Sequence, residues 1–468
     1  MSHPQRAPAL AVTALCLVQF VDVLGVTVVI TALPAMLASL HASQSYSALV
    51  ATGYSMFFGG LLMLGARLGD RFGHRRTILV SLGVLAAGGV VAATSSSVAA
   101  LTAGRCLQGV AAAASVPSAL RLLTTVTADG AARQRAIAAW SAAGAAAGAS
   151  GFVIGGLVTD LASWRLVFWA YLPLVAAMAA AIVVSVPAGA DDRPATSLNL
   201  AGSAAFTAAV MAFVVGTTVI TQPAGRVVGG LLLGSSVVLV AVFLAVDRRA
   251  AAPLLPAPLL GNRQLRQGTL ASFLNTATTS SVITLVTLYL QDALHRTPLE
   301  AAITLLPLSL LVIVGSALAV RLSRRLSPQL VIAAGLLAIG AADAALIPAA
   351  RSAWAVPVCA GVAGLGIGVS SVPATGLGTD VAERWRGGAS GVINTAAQLG
   401  TALGTAVLLL IASVTSGLPG PGHPPPDLAW GVAAVAAAAG ALRFALVRSR
   451  PAVWTTHPPS RAGAGDPA

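Results

Sequence analysis

Lysine is absent from this sequence, and charge of any kind is scarce: only 9% of the 468 residues are Asp, Glu, Lys or Arg. A soluble globular domain typically carries about 25% charged residues, so a water-facing surface over the whole chain is excluded. Aromatic residues make up 5%, which leaves no dense array for stacking nucleic-acid bases or a haem. The three cysteines, Cys16, Cys106 and Cys359, lie inside apolar runs and form no CxxC. They read as buried packing residues rather than as disulfide or metal chemistry. No zinc-ligand spacing, phosphate-binding loop or nucleophile elbow occurs, and the six histidines are expected in loops or tails. The expectation is a protein that is not an enzyme and holds no metal or cofactor.

What the chain holds in quantity is apolar length. Hydrophobic residues are 57% of it, and its mean hydropathy is +0.87. A bilayer core takes about 20 apolar residues per helix. That ruler predicts spans near 9–32, 46–66, 77–95, 98–120, 136–158, 166–187 and 198–220. Seven more follow near 227–246, 268–290, 300–320, 329–350, 353–374, 388–412 and 428–447. The first run is too long for the apolar part of a signal peptide and contains Asp22, so it is expected to be a retained span.

The 27 cations, all Arg, check the count of fourteen. With a cytoplasmic N-terminus, 22 fall in inside segments, four (Arg165, Arg226, Arg296, Arg351) fall outside, and Arg105 stays within a span. One span missed or invented would scramble this alternation, and the positive-inside rule then predicts cytoplasmic N- and C-termini. The net charge of +13 therefore reads as membrane orientation. Nucleic-acid binders gather basic residues on one soluble face, whereas here they sit in short clusters between apolar runs.

An internal repeat organises the spans. Residues 67–73, RLGDRFG, resemble 321–327, RLSRRLS, at an offset of 254, and Ser115-Val116-Pro117 recurs as Ser371-Val372-Pro373 at 256. The near-equal offsets pair the end of span 2 with the end of span 10, and span 4 with span 12. A shift of eight spans in fourteen predicts an all-α integral membrane fold of two six-helix bundles, 9–187 and 268–447, separated by two additional helices and linkers over 188–267. A cytoplasmic N-terminal segment, 1–8, and a disordered cytoplasmic tail, 448–468, flank them. Parallel six-helix repeats are a transporter architecture, with the pathway between the halves near the midplane. A duplicated membrane protein that transports nothing is the alternative.

Four stretches carry polar or conformational chemistry. RLGDRFGHRR, 67–76, sets Asp70, Arg71, Gly73, Arg75 and Arg76 between two long charge-free runs. Gly69 and Gly73 permit a tight turn, and Asp70 can pair with an Arg as a conformational latch that forms in one state and breaks in another. A purely topological anchor is the alternative. GRCLQGVAAAASVP, 104–117, puts Arg105 within span 4, near its start counted from the outside. There a charge costs roughly 2.5–3.5 kcal/mol on insertion scales and needs a partner, unless it snorkels to the interface. In GAAAGASGFVIGG, 144–156, Gly144, Gly148, Gly151 and Gly155 share one helix face and Gly156 lies beside it. Such a stripe lets another helix approach closely, as a gating hinge or as an ordinary packing seam.

Asp22 is a lone acid in span 1, suited to binding and releasing a proton because a desolvated carboxyl favours its neutral form, or else serving only local backbone and Arg groups. The only other charge expected inside a span is Asp343 in span 11. Asn275, Tyr289, Asn394 and Gln398 are candidates for a substrate cavity, or for polar glue between helices.

Together these stretches resemble the major facilitator superfamily, in its fourteen-span drug:proton antiporter type. RLGDRFGHRR is similar to the loop signature after the second helix, with Ala66 where Gly is usual and His74 where Arg or Lys is common. Arg105, Gln108 and Gly109 match the fourth-helix R-x-x-q-G. Gly151, Gly155 and Gly156 match the antiporter signature g-x-x-x-G-P-x-x-G-G, with Phe152 in place of its Pro. GVTVVITALP, 25–34, is similar to the first-helix D-x-T-v-v-n-v-A-L-P, with Gly25 in place of its Asp. Asp22 stands one turn away, about 4.5 Å along the axis, on the same face.

The resemblance implies proton coupling through Asp22 and Arg105. It implies export of a lipophilic or cationic small molecule (a drug, antibiotic or secondary metabolite) across a bacterial inner membrane by alternating access. The exporter would work as a monomer, with the proton gradient as its energy source. An importer on the same fold is the alternative that the missing Pro supports.

Overall fold

The computed structural model describes residues 6–446 except 129–130, 188–197, 222–223, 252, 256–258, 260, 351, 353, 382–385 and 416–423. The expected tail 448–468, and residues 1–5, lie outside the described residues. Backbone placed in hydrocarbon must bond to itself, and the regular structure among the described residues is helical throughout. Among the described residues, fourteen helices are long and apolar enough to cross a membrane. Spans 1 to 5 are Ala9–Ser39, Gln44–Phe72, His74–Ala93, Val98–Val126 and Arg135–Leu161. Spans 6 to 10 are Trp164–Ser185, Leu200–Val219, Arg226–Arg249, Arg263–Ala293 and Pro298–Leu322. Spans 11 to 14 are Pro328–Ala349, Ala355–Thr379, Gly388–Thr415 and Asp427–Leu446.

Local chemistry sets their ends. The Ser97 hydroxyl accepts the Ala100 N–H at the start of span 4, and Thr297 with Glu300 forms a reciprocal capping box at the start of span 10, satisfying donors that a first helical turn leaves unbonded. Pro117 and Pro373, the repeat-related prolines, both lie inside helices, as bundled membrane helices tolerate.

Three expectations are corrected. Span 2 does not end at 66 but continues to Phe72, and a single residue, Gly73 at φ 87°, turns the chain into span 3. Polar residues mark where the apolar run stops, while the helix runs on past it. His74 is accordingly no loop residue: it opens span 3 and is buried. Span 9 likewise reaches Ala293, with wide π-type turns over Ser281–Leu285 and Tyr289–Ala293. Asp343 is therefore not the only other acid within these helices, because Asp247 lies in span 8 and Asp292 in span 9.

The packing repeats as the sequence does. In the first bundle span 1 packs with 4, 5 and 6, span 2 with 4, and span 3 with 4 and 6. In the second, span 9 packs with 12, 13 and 14, span 10 with 12, and span 11 with 12 and 14. Each pairing of the second set is one of the first shifted by eight. Between bundles, span 2 meets span 13 and span 5 meets span 10, and the same shift exchanges these two seams. Span 7 lies against spans 2 and 13, with span 8 packed on it. Span 8 exposes Val227, Leu231, Val237 and Val238, the face of a helix at the rim of an apolar assembly.

An acid with a buried tyrosine and arginine in the first bundle

Asp22 lies fourteen residues into the helix Ala9–Ser39, about 20 Å along it at 1.5 Å per residue. Its carboxylate accepts a hydrogen bond from the Tyr54 hydroxyl of span 2. Tyr54 is 2% exposed, and its ring stands edge-on to Phe58 with centroids 5.8 Å apart. Over the same ring lies Arg105 of span 4, its guanidinium carbon 4.8 Å from the centroid. Close approach here depends on Gly109, where a Cβ would run into the Tyr54 carbonyl and sit 3.1 Å from Phe57 Cβ.

Arg105 is 1% exposed, so it does not snorkel to the interface. Its Nη1 donates to Gln108 Oε1 at 2.8 Å. Arg105 Nε and Nη2 and Gln108 Nε2 have no hydrogen-bond partner among the described residues. A desolvated cation over a ring gains about 2 kcal/mol, which offsets only part of the cost of burying a guanidinium. The remainder calls for a counter-charge, and the Tyr54 ring that carries Arg105 is joined by its hydroxyl to the Asp22 carboxylate.

Asp22, Tyr54, Gln108, Ser115 and Tyr171 line one cavity of about 10 Å³ together with apolar side chains of spans 1, 3, 4 and 6. That is roughly the room one water needs. The Tyr171 hydroxyl lies where a Cβ on Gly25 would meet it at 2.5 Å. The position at which the antiporter signature carries Asp is thus closed by a tyrosine, and the acid stands one turn away at Asp22. Sequence reasoning singled out Asp22 and Arg105 separately, and the structure joins them through Tyr54. It missed Tyr54 and Tyr171, two of only four tyrosines in the chain, because an aromatic residue in an apolar run reads as packing.

The 67–76 stretch has local partners. Asp70 Oδ1 lies 3.4 Å from His74 Nε2, and Arg71 lies over the Phe72 ring at 5.5 Å. Arg75 donates to the Val183 carbonyl at 3.0 Å, and Arg67 to the Pro253 carbonyl at 2.5 Å in the segment between spans 8 and 9. Arg76 borders an apolar groove between spans 2, 3 and 4. Gly73 makes the turn, whereas Gly69 is helical and leaves room for the His74 ring and the Ser118 hydroxyl.

The glycine stripe faces span 1. Gly144 lies against Gln19, Gly148 against Val23, Gly151 against Thr27, and Gly155 against Val28 and Thr31. Gly156 points to the other bundle, where a Cβ would stand 2.7 Å from the Pro298 carbonyl and 2.8 Å from Ala302 Cβ of span 10. Ser309 of span 10 donates to the Gly148 carbonyl at 3.0 Å, and Gln291 of span 9 to the Thr31 carbonyl at 2.9 Å. Span 5 is thereby held between span 1 and the second bundle.

The four cavity candidates have separate neighbours. Asn275 bonds Ser370 Oγ at 2.5 Å and the Ile367 carbonyl at 3.3 Å, inside the seam of spans 9 and 12. Tyr289 stands edge-on to Trp430 of span 14. Gln398 packs on Gly59 of span 2, and Asn394 is exposed on span 13. Among the described residues no group of three or more His, Cys, Asp or Glu could hold a metal ion.

Fourteen spans, an eight-span repeat and, in one bundle, an acid joined through a buried tyrosine to a buried arginine describe a secondary transporter. Residues 15–405 match the model of the Major Facilitator Superfamily, and the chain belongs to that family. It is 32% identical over 409 residues to the lincomycin resistance protein of Streptomyces lincolnensis, covering 85% of this chain and 83% of the relative. It is 33% identical over 426 residues to the cephamycin export protein of Amycolatopsis lactamdurans, covering 87% of each. A crystal structure of a peptide transporter, determined in complex with sulfate, superposes with a TM-score of 0.70 over 93% of both chains at 16% identity, a likeness of fold.

Proposed function

We propose that this chain exports a lipophilic or cationic small molecule across a bacterial inner membrane in exchange for protons, with both termini cytoplasmic and with Asp22 as the group that takes up and releases the proton. The observation that carries this reading is the contact of Asp22 with Tyr54 and of Tyr54 with Arg105, beside an internal cavity. The resistance and export proteins among the relatives support the direction of transport and the kind of cargo. Protonation removes the charge that balances Arg105, so the two protonation states of Asp22 favour different arrangements of spans 1, 2 and 4. The 67–76 stretch and the glycine stripe are then the elements that reform as the bundles rock. For a neutral cargo, a proton crossing about 150 mV supplies about 3.5 kcal/mol, which sustains a gradient of roughly 300-fold at 1.4 kcal/mol per decade. A 1:1 exchange with a monovalent cation moves no net charge and runs on the pH gradient alone.

The test is a panel of lipophilic antibiotics and dyes on an efflux-deficient host. Expression of the chain raises tolerance to at least one agent, and Asp22→Asn loses that gain at equal membrane abundance. Equal protection by the variant removes Asp22 from the mechanism.

A further inference from the structure

We infer that Tyr54 is the positioning residue of the coupling site, setting how tightly Asp22 holds its proton while keeping Arg105 in place. This rests on the reading of Asp22 as the proton-exchanging group. A single side chain meets both partners. Its hydroxyl donates to the Asp22 carboxylate and its ring face carries the Arg105 guanidinium. The ring is fixed by burial, by Phe58 and by the close seat of span 4 at Gly109.

These two contacts respond differently to a proton. A hydroxyl bonded to an ionised carboxylate makes a charge-assisted bond, about twice as strong as the neutral bond left after protonation. The contact of the ring with Arg105 is indifferent to the state of Asp22. Tyr54 thus stabilises the ionised acid selectively, and gives Arg105 a seat that survives when the counter-charge is neutralised. The other titratable groups around Asp22 are few. Among the described residues span 4 contributes Arg105, with Cys106 beside that arginine, and span 6 contributes Tyr171. Span 3 presents Leu82 and Leu85 to the cavity, and span 5 presents glycines to span 1.

Tyr54→Phe separates the two contacts, because it keeps the ring and removes one hydroxyl. The measurement is an infrared titration of the purified full-length chain in nanodiscs, reading the protonated-carboxyl C=O band assigned to Asp22 by its loss in Asp22→Asn. We expect Tyr54→Phe to hold the Asp22 proton three- to tenfold more tightly, moving the band's midpoint by about half to one pH unit toward alkaline. The pH profile of drug efflux is expected to move with it. Tyr54→Leu, which also removes the ring, is expected to abolish efflux at every pH. An Asp22 band whose midpoint is the same in wild type and Tyr54→Phe overturns the role of Tyr54 and leaves Asp22 its own. A spectrum with no titrating band that depends on Asp22 overturns both.

Discussion

On span 4 the turn that faces span 2 carries Arg105, Gln108 and Gly109, whereas at the repeat offset of 256 span 12 carries Gly361, Gly364 and Leu365. Tyr54 corresponds in the same way, at 254, to Leu308 of span 10. In the second bundle a Cβ on Gly364 would strike the Leu308 backbone, and one on Gly361 would sit 2.8 Å from Leu311. Where the first bundle holds an acid, a tyrosine and an arginine, the second closes two helices against each other. The duplicated scaffold is shared and its chemistry is one-sided. Internal symmetry of packing therefore does not dictate symmetry of chemistry, and on the proposed coupling the proton-handling groups need only one of the two halves.

Substitutions can break that contrast. The largest effect is expected for Arg105→Leu, which removes the fully buried cation of the first bundle: gradient-driven efflux in everted vesicles should fall roughly 100-fold or more, as for a buried charge left without its partner. Next is Gly155→Leu, whose side chain would enter the Val28 and Thr31 seam. Overpacking of that kind costs about 1–3 kcal/mol and should lower the midpoint of thermal aggregation in detergent. Gly230→Leu is the control on span 8, where nothing lies within 4 Å, and it should stay within about 0.5 kcal/mol of wild type. The smallest effect is expected for Asp343→Asn, the buried acid of span 11 in the second bundle. Its efflux per molecule should stay far above that of Arg105→Leu, and a loss equal to that of Arg105→Leu would show that both halves take part in coupling.

Much of this architecture was legible in the residues. Long charge-free runs counted the spans, Arg placement checked the count, and two short repeats announced the eight-span shift that the packing displays. Asp22 and Arg105 stood out because a charge in hydrocarbon needs a reason. Their connection did not stand out. It depends on Tyr54, whose ring is apolar in composition and whose one hydroxyl matters only because of what lies opposite it in space. His74 was misread for a related reason, since Gly69, one turn earlier, makes the space that buries it. Gln291 and Asp292 looked like a loop because polarity marks the end of a hydrocarbon run, not the end of a helix.

The most direct measurement reconstitutes the wild type and Asp22→Asn in proteoliposomes, and compares efflux driven by an imposed proton gradient with exchange of the same agent at equilibrium. Exchange needs the bundles to rock but needs no net proton movement. The account predicts that Asp22→Asn loses the driven flux and keeps exchange. Driven flux at the wild-type level in Asp22→Asn would contradict it.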